Sequence, residues 1–304
     1  MNDRLLKFVF AAAPVRGEII RLDDAWQRMI RHHEYPAPVL SLLGQMTAAV
    51  ALLAANIKFN GSLTLQIHGD GPVRLLVAEC QPGFGLRATA KLQPDAQIAA
   101  DATLASLVNV HGGGRCAITL DPRDRLPGQQ PYQGVVALDG DSIAAAIETY
   151  MRQSEQLDTR LWLAADTHAA AEVLLQKLPR GGGLASAGTD EDAWPRAQML
   201  AETLTPPELL SVPADALMQR LFWQERLTRG EALQPRFECT CSRSRIGRML
   251  RSLGRAEVDE IIAERGSVEV TCDFCNARQQ FDAVDAGQLF ATGDTEPAQS
   301  GDPH

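Results

Sequence analysis

Four cysteines near the end of the chain set the tightest limit on how it can fold. They fall as Cys239-Thr240-Cys241 and, after thirty intervening residues, Cys272-Asp273-Phe274-Cys275. Two close pairs flanking a short folded segment have the ligand count of a closed tetrahedral zinc site. The same four thiols can form two short-loop disulfides once a metal leaves. The pieces between the pairs read as a basic helix over 242–253, a second helix over 255–264 with Val258, Ile261 and Ile262 apolar, and a strand over 267–271. They are too small to bury a core alone, so a metal is the expected staple. Arg243, Arg245 and Arg248 either offset the negative charge of a zinc tetrathiolate or form a solvated face. A purely structural zinc ribbon fits the bare spacing. Two details favour a reactive site: C-x-C is less usual than C-x-x-C for a passive knuckle, and both pairs are close enough to oxidise locally.

Composition narrows the remaining classes. The 304 residues carry a formal net charge of -9 and a pI near 5.2, which argues against broad nucleic-acid binding. Hydrophobic residues make up 45% and charged residues 22%, so most of the chain is expected to be globular. The first ten residues include Asp3, Arg4 and Lys7 and do not read as a signal peptide. Residues 37–57 contain no charged residue and are long enough to span a bilayer. They are Ala-rich, follow Pro36, and contain Gln45, Thr47 and Asn56, so a buried helix of a soluble core is the better reading. Cys80 and Cys116 stand alone and read as buried apolar thiols.

The pattern along the chain predicts an α+β fold: an N-terminal mixed sheet-and-helix core over 1–183, a helical linker over 184–233, a small zinc-binding domain over 234–287 and a disordered tail over 288–304. Residues 4–20 read as extended. Asp23 or Asp24 is placed to cap a helix through Trp26, Met29 and Ile30. Alternation at Leu63, Leu65, Ile67 and again at Val73, Leu75, Val77, across Gly69-Asp70-Gly71-Pro72, predicts a hairpin. Strands are expected over 86–92, 115–120, 132–138, 159–164 and 172–178, a short helix over 101–110, and a helix capped by Ser142. In the linker, helices are expected over 193–204, 207–210 and 214–227. Leu217, Leu221 and Gln224 would share one face of the last, broadened by Met218, Phe222 and Trp223. Either these helices are permanently packed on the core, or they form an apolar cover that is only conditionally held down.

The cysteine pattern is accompanied by Val15-Arg16-Gly17-Glu18, Gly69-Asp70-Gly71-Pro72, Tyr132-Gln133-Gly134-Val135-Val136, Ser154-Glu155-Gln156-Leu157 and Leu174-Leu175-Gln176. In that order, across nearly the whole chain, these resemble the landmarks of the redox-regulated heat-shock chaperones of 33 kDa, the 33 kDa chaperonin family. The resemblance implies a cytoplasmic, ATP-independent holdase and not an enzyme, nearly inactive while reduced and holding one Zn²⁺ through Cys239, Cys241, Cys272 and Cys275. It further implies that oxidation pairs Cys239 with Cys241 and Cys272 with Cys275, that zinc leaves, and that the zinc domain and linker unfold. Apolar surface then becomes available to unfolding client proteins, the active form being a homodimer with neither nucleic acid nor membrane as partner. The segment with Leu217, Leu221, Phe222 and Trp223 is where the switchable cover would lie. Two departures stand out. Ala170-Ala171-Glu172 occupies the place where the family often has a Gly-Gly pair, which puts that local turn in doubt, and Gln279 stands where an aromatic is frequent.

Two rivals share the cysteines. A zinc-ribbon nucleic-acid binder is disfavoured by the acidic balance. A dithiol oxidoreductase would use C-x-x-C catalytically, but no thioredoxin-like βαβ frame surrounds Cys272.

Overall fold

The computed structural model describes residues 3–57, 60–124, 128–138, 140–179 and 190–291. The chain divides after Glu238 into two compact units.

The first unit opens with a hairpin, β1 (Arg4–Phe10) and β2 (Val15–Leu22), followed by α1 (Asp24–Ile30) and α2 (Ala37–Asn56). A meander follows: β3 (Gly61–His68), β4 (Val73–Gln81) and β5 (Gly85–Leu92). After the short α3 (Leu104–Val108) come β6 (Arg115–Pro122), β7 (Tyr132–Ala137), α4 (Ile143–Ser154), and the hairpin β8 (Thr159–Ala165) and β9 (Ala170–Lys177). Three short helices, α5 (Ala193–Ala201), α6 (Pro206–Ser211) and α7 (Ala214–Leu221), lead to β10 (Leu227–Arg229) and β11 (Arg236–Phe237). Two sheets result, with strand orders β10-β1-β2-β9-β8 and β11-β5-β4-β3-β6-β7, antiparallel except where β11 runs parallel to β5. The fold is α+β, as the sequence predicts.

The uncharged stretch is the centre of this unit. As α2 it packs against strands of both sheets. Val39, Leu43, Met46, Val50 and Leu52 are essentially unexposed, so a segment apolar enough to cross a membrane is spent as a core helix. Asp23 does not cap α1. Its carboxylate holds Arg21, and Asp3 instead accepts from the Asp23 and Ala25 N–H groups. Ser142 does cap α4, accepting from the Ala145 N–H. Cys80 and Cys116 are buried, and burial pushes both thiols up to about 12.

The five-stranded sheet is buried on both faces, because alternate residues point opposite ways. Leu5, Ile20, Leu22, Ala170 and Leu174 join the core around α2. Leu6, Phe8, Phe10, Ile19, Val173 and Leu175 face α5–α7. The linker helices are thus docked on the sheet through Ala193, Ala197, Ala201, Leu209, Leu217, Met218, Leu221 and Phe222. Phe222 anchors them, its ring 5.4 Å from both Phe8 and Phe10. Gly17 makes room for this cluster, since a Cβ there would fall 2.2 Å from the Phe8 ring. The last linker helix ends earlier than its pattern suggests. Leu227 lies in β10, paired with Phe10, and Trp223 is 72% exposed, so it does not belong to the apolar face. Ala170, Ala171 and Glu172 lie inside β9, and the turn precedes them, held by Asp166 accepting from the His168 and Ala169 N–H groups.

The second unit contains α8 (Arg243–Leu253), α9 (Arg255–Arg265), β12 (Val268–Thr271), β13 (Arg278–Phe281) and α10 (Ala283–Ala291). Its core is Ile246, Leu250, Val258, Val268, Phe281 and Ala286. Residues 288–291 of the expected tail belong to α10, and 292–304 lie outside the described residues.

Candidate metal centre

Two short loops carry the four cysteines. Cys239-Thr240-Cys241 leads into α8, which Ser242 caps by accepting from the Arg245 N–H at 3.2 Å. Cys272 and Cys275 sit on the turn joining β12 to β13. There the Cys272 N–H donates to the Ala277 carbonyl (3.0 Å) and the Asn276 N–H to the Cys272 carbonyl (2.9 Å). Asn276 takes a φ of 54°, a left-handed conformation that Asn tolerates better than most residues.

Those loops bring all four sulfurs within 4.8 Å of one another. Cys239 Sγ lies 3.6 Å from Cys272 Sγ, and Cys241 Sγ 3.3 Å from Cys275 Sγ. A tetrahedron of sulfurs at ordinary Zn–S distance has edges of about 3.8 Å, so the donor set and its spacing fit a four-thiolate metal ion. All four cysteines are part-buried. Burial raises the Cys239 and Cys241 thiols above their ordinary values. Burial also opposes the Cys272 thiolate, but bonds from the Phe274 and Cys275 N–H groups outweigh it and hold Cys272 lower. A metal ion would convert the whole set to thiolates, since deprotonation is part of binding.

The three arginines behave differently from one another. Arg243 lies over the Phe281 ring at 4.2 Å, donates to the Gln280 carbonyl and pairs with Asp285 at 2.7 Å. It therefore fastens α8 to β13 and α10 rather than serving the sulfurs. Arg245 donates to Thr240 Oγ1 at 2.9 Å and so steadies the first cysteine loop. Arg248 is exposed on α8. Sequence reasoning missed β13 and α10, although Asp282-Ala283-Val284-Asp285 is a helix-start signal. Asp282 accepts from the Asp285 N–H and Asp285 from the Asp282 N–H, a reciprocal cap. Gln279 is half-buried in β13, opposite Val270.

The family profile described as "Hsp33 protein" matches residues 3–282. This chain belongs to the Hsp33 family. The 33 kDa chaperonin of Methylobacillus flagellatus is 45% identical over 293 residues, covering 96% of each chain. That of Chromobacterium violaceum is 46% identical over 289 residues, covering 95% of this chain and 94% of the relative. The crystal structure of the 33 kDa chaperonin of Thermotoga maritima matches the fold with a TM-score of 0.77 at 20% identity, over 96% of this chain and 100% of that one. The protein is an Hsp33-family chaperone whose C-terminal cysteines can hold a metal ion. Neither Ala170-Ala171-Glu172 nor Gln279, the departures read from the sequence, is among the four candidate ligands, so the donor set is intact.

Proposed function

We propose that this protein is a redox-regulated, ATP-independent holdase, with one Zn²⁺ held by Cys239, Cys241, Cys272 and Cys275 as its sensor. The observation that carries the proposal is the convergence of four part-buried sulfurs from two short loops on a unit with very little core of its own. Bound zinc supplies a cross-link between the Cys239–Cys241 loop and the β12–β13 turn. On oxidation each thiolate pair, Cys239 with Cys241 and Cys272 with Cys275, would give two electrons to one hydrogen peroxide, forming one S–S bond, while the peroxide O–O bond breaks and takes two protons from solvent to become two waters. The residues then no longer offer thiolates, and the second unit loses its staple.

The linker is suited to follow. Helices α5–α7 span nine, six and eight residues, well below the ~12–15 at which isolated helices become marginal. They therefore persist only while docked on the sheet. Only Glu238 separates β11 from Cys239, and β11 and β10 are pairings of two and three residues. Loss of order beyond Cys239 would be transmitted along this thinly paired chain. Release would uncover Phe8, Phe10, Val173, Leu175 and the apolar sides of the helices for proteins in the course of unfolding. The active form is a homodimer, the compartment the cytoplasm, and the acidic balance speaks against a nucleic-acid partner.

The test is aggregation of a chemically denatured client without ATP, with reduced zinc-loaded protein and with protein oxidised by peroxide at raised temperature. Suppression by the oxidised form alone, with peptide mapping that finds the two local disulfides, supports the reading. Equal suppression by both forms, or tight salt-dependent nucleic-acid binding by the reduced form, would refute it.

A further inference from the structure

The face of the five-stranded sheet that meets α2 carries two buried carboxyl groups that the redox reading does not use. Glu18 in β2 lies opposite Leu174, and Glu172 in β9 lies opposite Ile20, so the two are diagonal neighbours on adjacent strands. Period-two alternation puts Glu18 with Ile20 and Leu22, and Glu172 with Ala170 and Leu174, on the side of α2. Both are nearly unexposed, at 2% and 1%, and Oε2 of each lacks a hydrogen-bond partner.

The charges around them are unequal. Glu18 faces Lys7 of β1 at 3.9 Å, Arg16 of its own strand, and Asn56 at the end of α2. Lys7 also donates to the Ala55 carbonyl, and Arg16 to Gln176 of β9, which in turn donates to Thr159 of β8. Glu172 faces Ile20 on one side and Leu163 of β8 on the other. Helix α2 brings it no charged residue, and the charge acting on it is that of Glu18. Two carboxylates this close and this dry cannot both be ionised at ordinary cost. Burial lifts Glu18 to about 7 despite its cations, and lifts Glu172 well above the usual carboxylate range.

We propose that Glu18 and Glu172 are a buried proton-holding pair that makes the five-stranded sheet, and with it the seat of α5–α7, loosen as pH rises through neutrality. The folded state holds protons that the unfolded state has already released, so stability falls with rising pH. The fall begins at the ordinary carboxylate value near 4.5 and continues through about 7 for Glu18 and beyond for Glu172. Each such proton raises the unfolding constant by up to about tenfold per pH unit. The pair is independent of the cysteines, so this inference survives failure of the redox reading.

The test uses the full-length, reduced, zinc-loaded protein. Thermal unfolding is followed from pH 6 to 9 for the wild type, Glu172→Gln and Glu18→Gln, the amides keeping shape but unable to ionise. The same samples give the infrared carboxylic-acid band, assigned by ¹³C-labelled glutamate. The expected result is a wild-type midpoint that falls over this range, a flatter profile in Glu172→Gln, and a protonated-acid band at about pH 7.5 that is clearly weaker in Glu172→Gln. Parallel profiles, or no protonated glutamic acid in the wild type at that pH, would overturn the proposal. If neither variant folds, the wild-type band alone decides.

Discussion

The two units of this chain are held together by different physics. In the first, an uncharged helix packs against strands of both sheets, and Trp26, Phe8, Phe10, Leu43 and Met46 are buried outright. In the second, among the described residues, six buried side chains form the core, while four sulfurs converge at one point. Burying a large apolar side chain contributes about 1.5–3 kcal/mol, so the five Ile, Leu, Val and Phe side chains of this core together make a contribution comparable to the ~10–16 kcal/mol that structural zinc supplies in small peptides. Losing the metal would therefore remove a large share of what holds the unit. The difference teaches that the same oxidant should dismantle one unit and leave the centre of the other standing. Between them lie α5–α7, which belong to the first unit by packing yet lead, by way of β10 and β11, to the first cysteine.

That contrast can be broken most forcefully at the cysteines. Cys272→Ser should abolish zinc binding and unfold residues 239–291, giving rapid proteolysis there while the six-stranded sheet keeps its circular dichroism; an intact second unit without metal would remove the contrast. Next is Phe222→Ala, which empties the aromatic site between Phe8 and Phe10 and should cost about 3–5 kcal/mol. Reduced, zinc-loaded protein carrying it should already be cleaved within the linker and should suppress client aggregation without oxidant. Asp3→Ala removes the acceptor for two N–H groups at the start of α1 and should cost about 1 kcal/mol, seen as a lower denaturant midpoint with unchanged zinc affinity. Smallest of all is Trp223→Ala, expected within about 0.5 kcal/mol of wild type because that ring is exposed; a large loss of reduced-state stability would mean that Trp223 holds the linker down.

Much of this could be read from the residues, for physical reasons that also mark where reading stops. The cysteines announce a site because ligand chemistry tolerates few spacings. Residues 37–57 announce a core helix because no charge interrupts them, and Ser142 and Ser242 announce helix starts because their hydroxyls act locally. What stayed hidden depends on distant partners. Strands β10 and β11 exist because Phe10 and Leu86 are there to pair with. The α1 cap comes from Asp3, twenty residues before it. Helix α7 stops at Leu221 so that Phe222 can enter the Phe8–Phe10 site, an event that helical periodicity cannot register. Arg243 looked like a partner for the metal centre and is instead spent on Phe281 and Asp285.

The central claim is that oxidising the second unit releases α5–α7 from the five-stranded sheet. Hydrogen exchange by mass spectrometry on the full chain, reduced and then oxidised, with zinc release followed in the same sample, tests it most directly. The account predicts that as about one zinc per chain is lost, residues 190–222 and 239–291 lose protection while α2 and β3–β6 keep theirs. Zinc loss with unchanged protection in α5–α7 would contradict it and leave the cysteine centre a local staple.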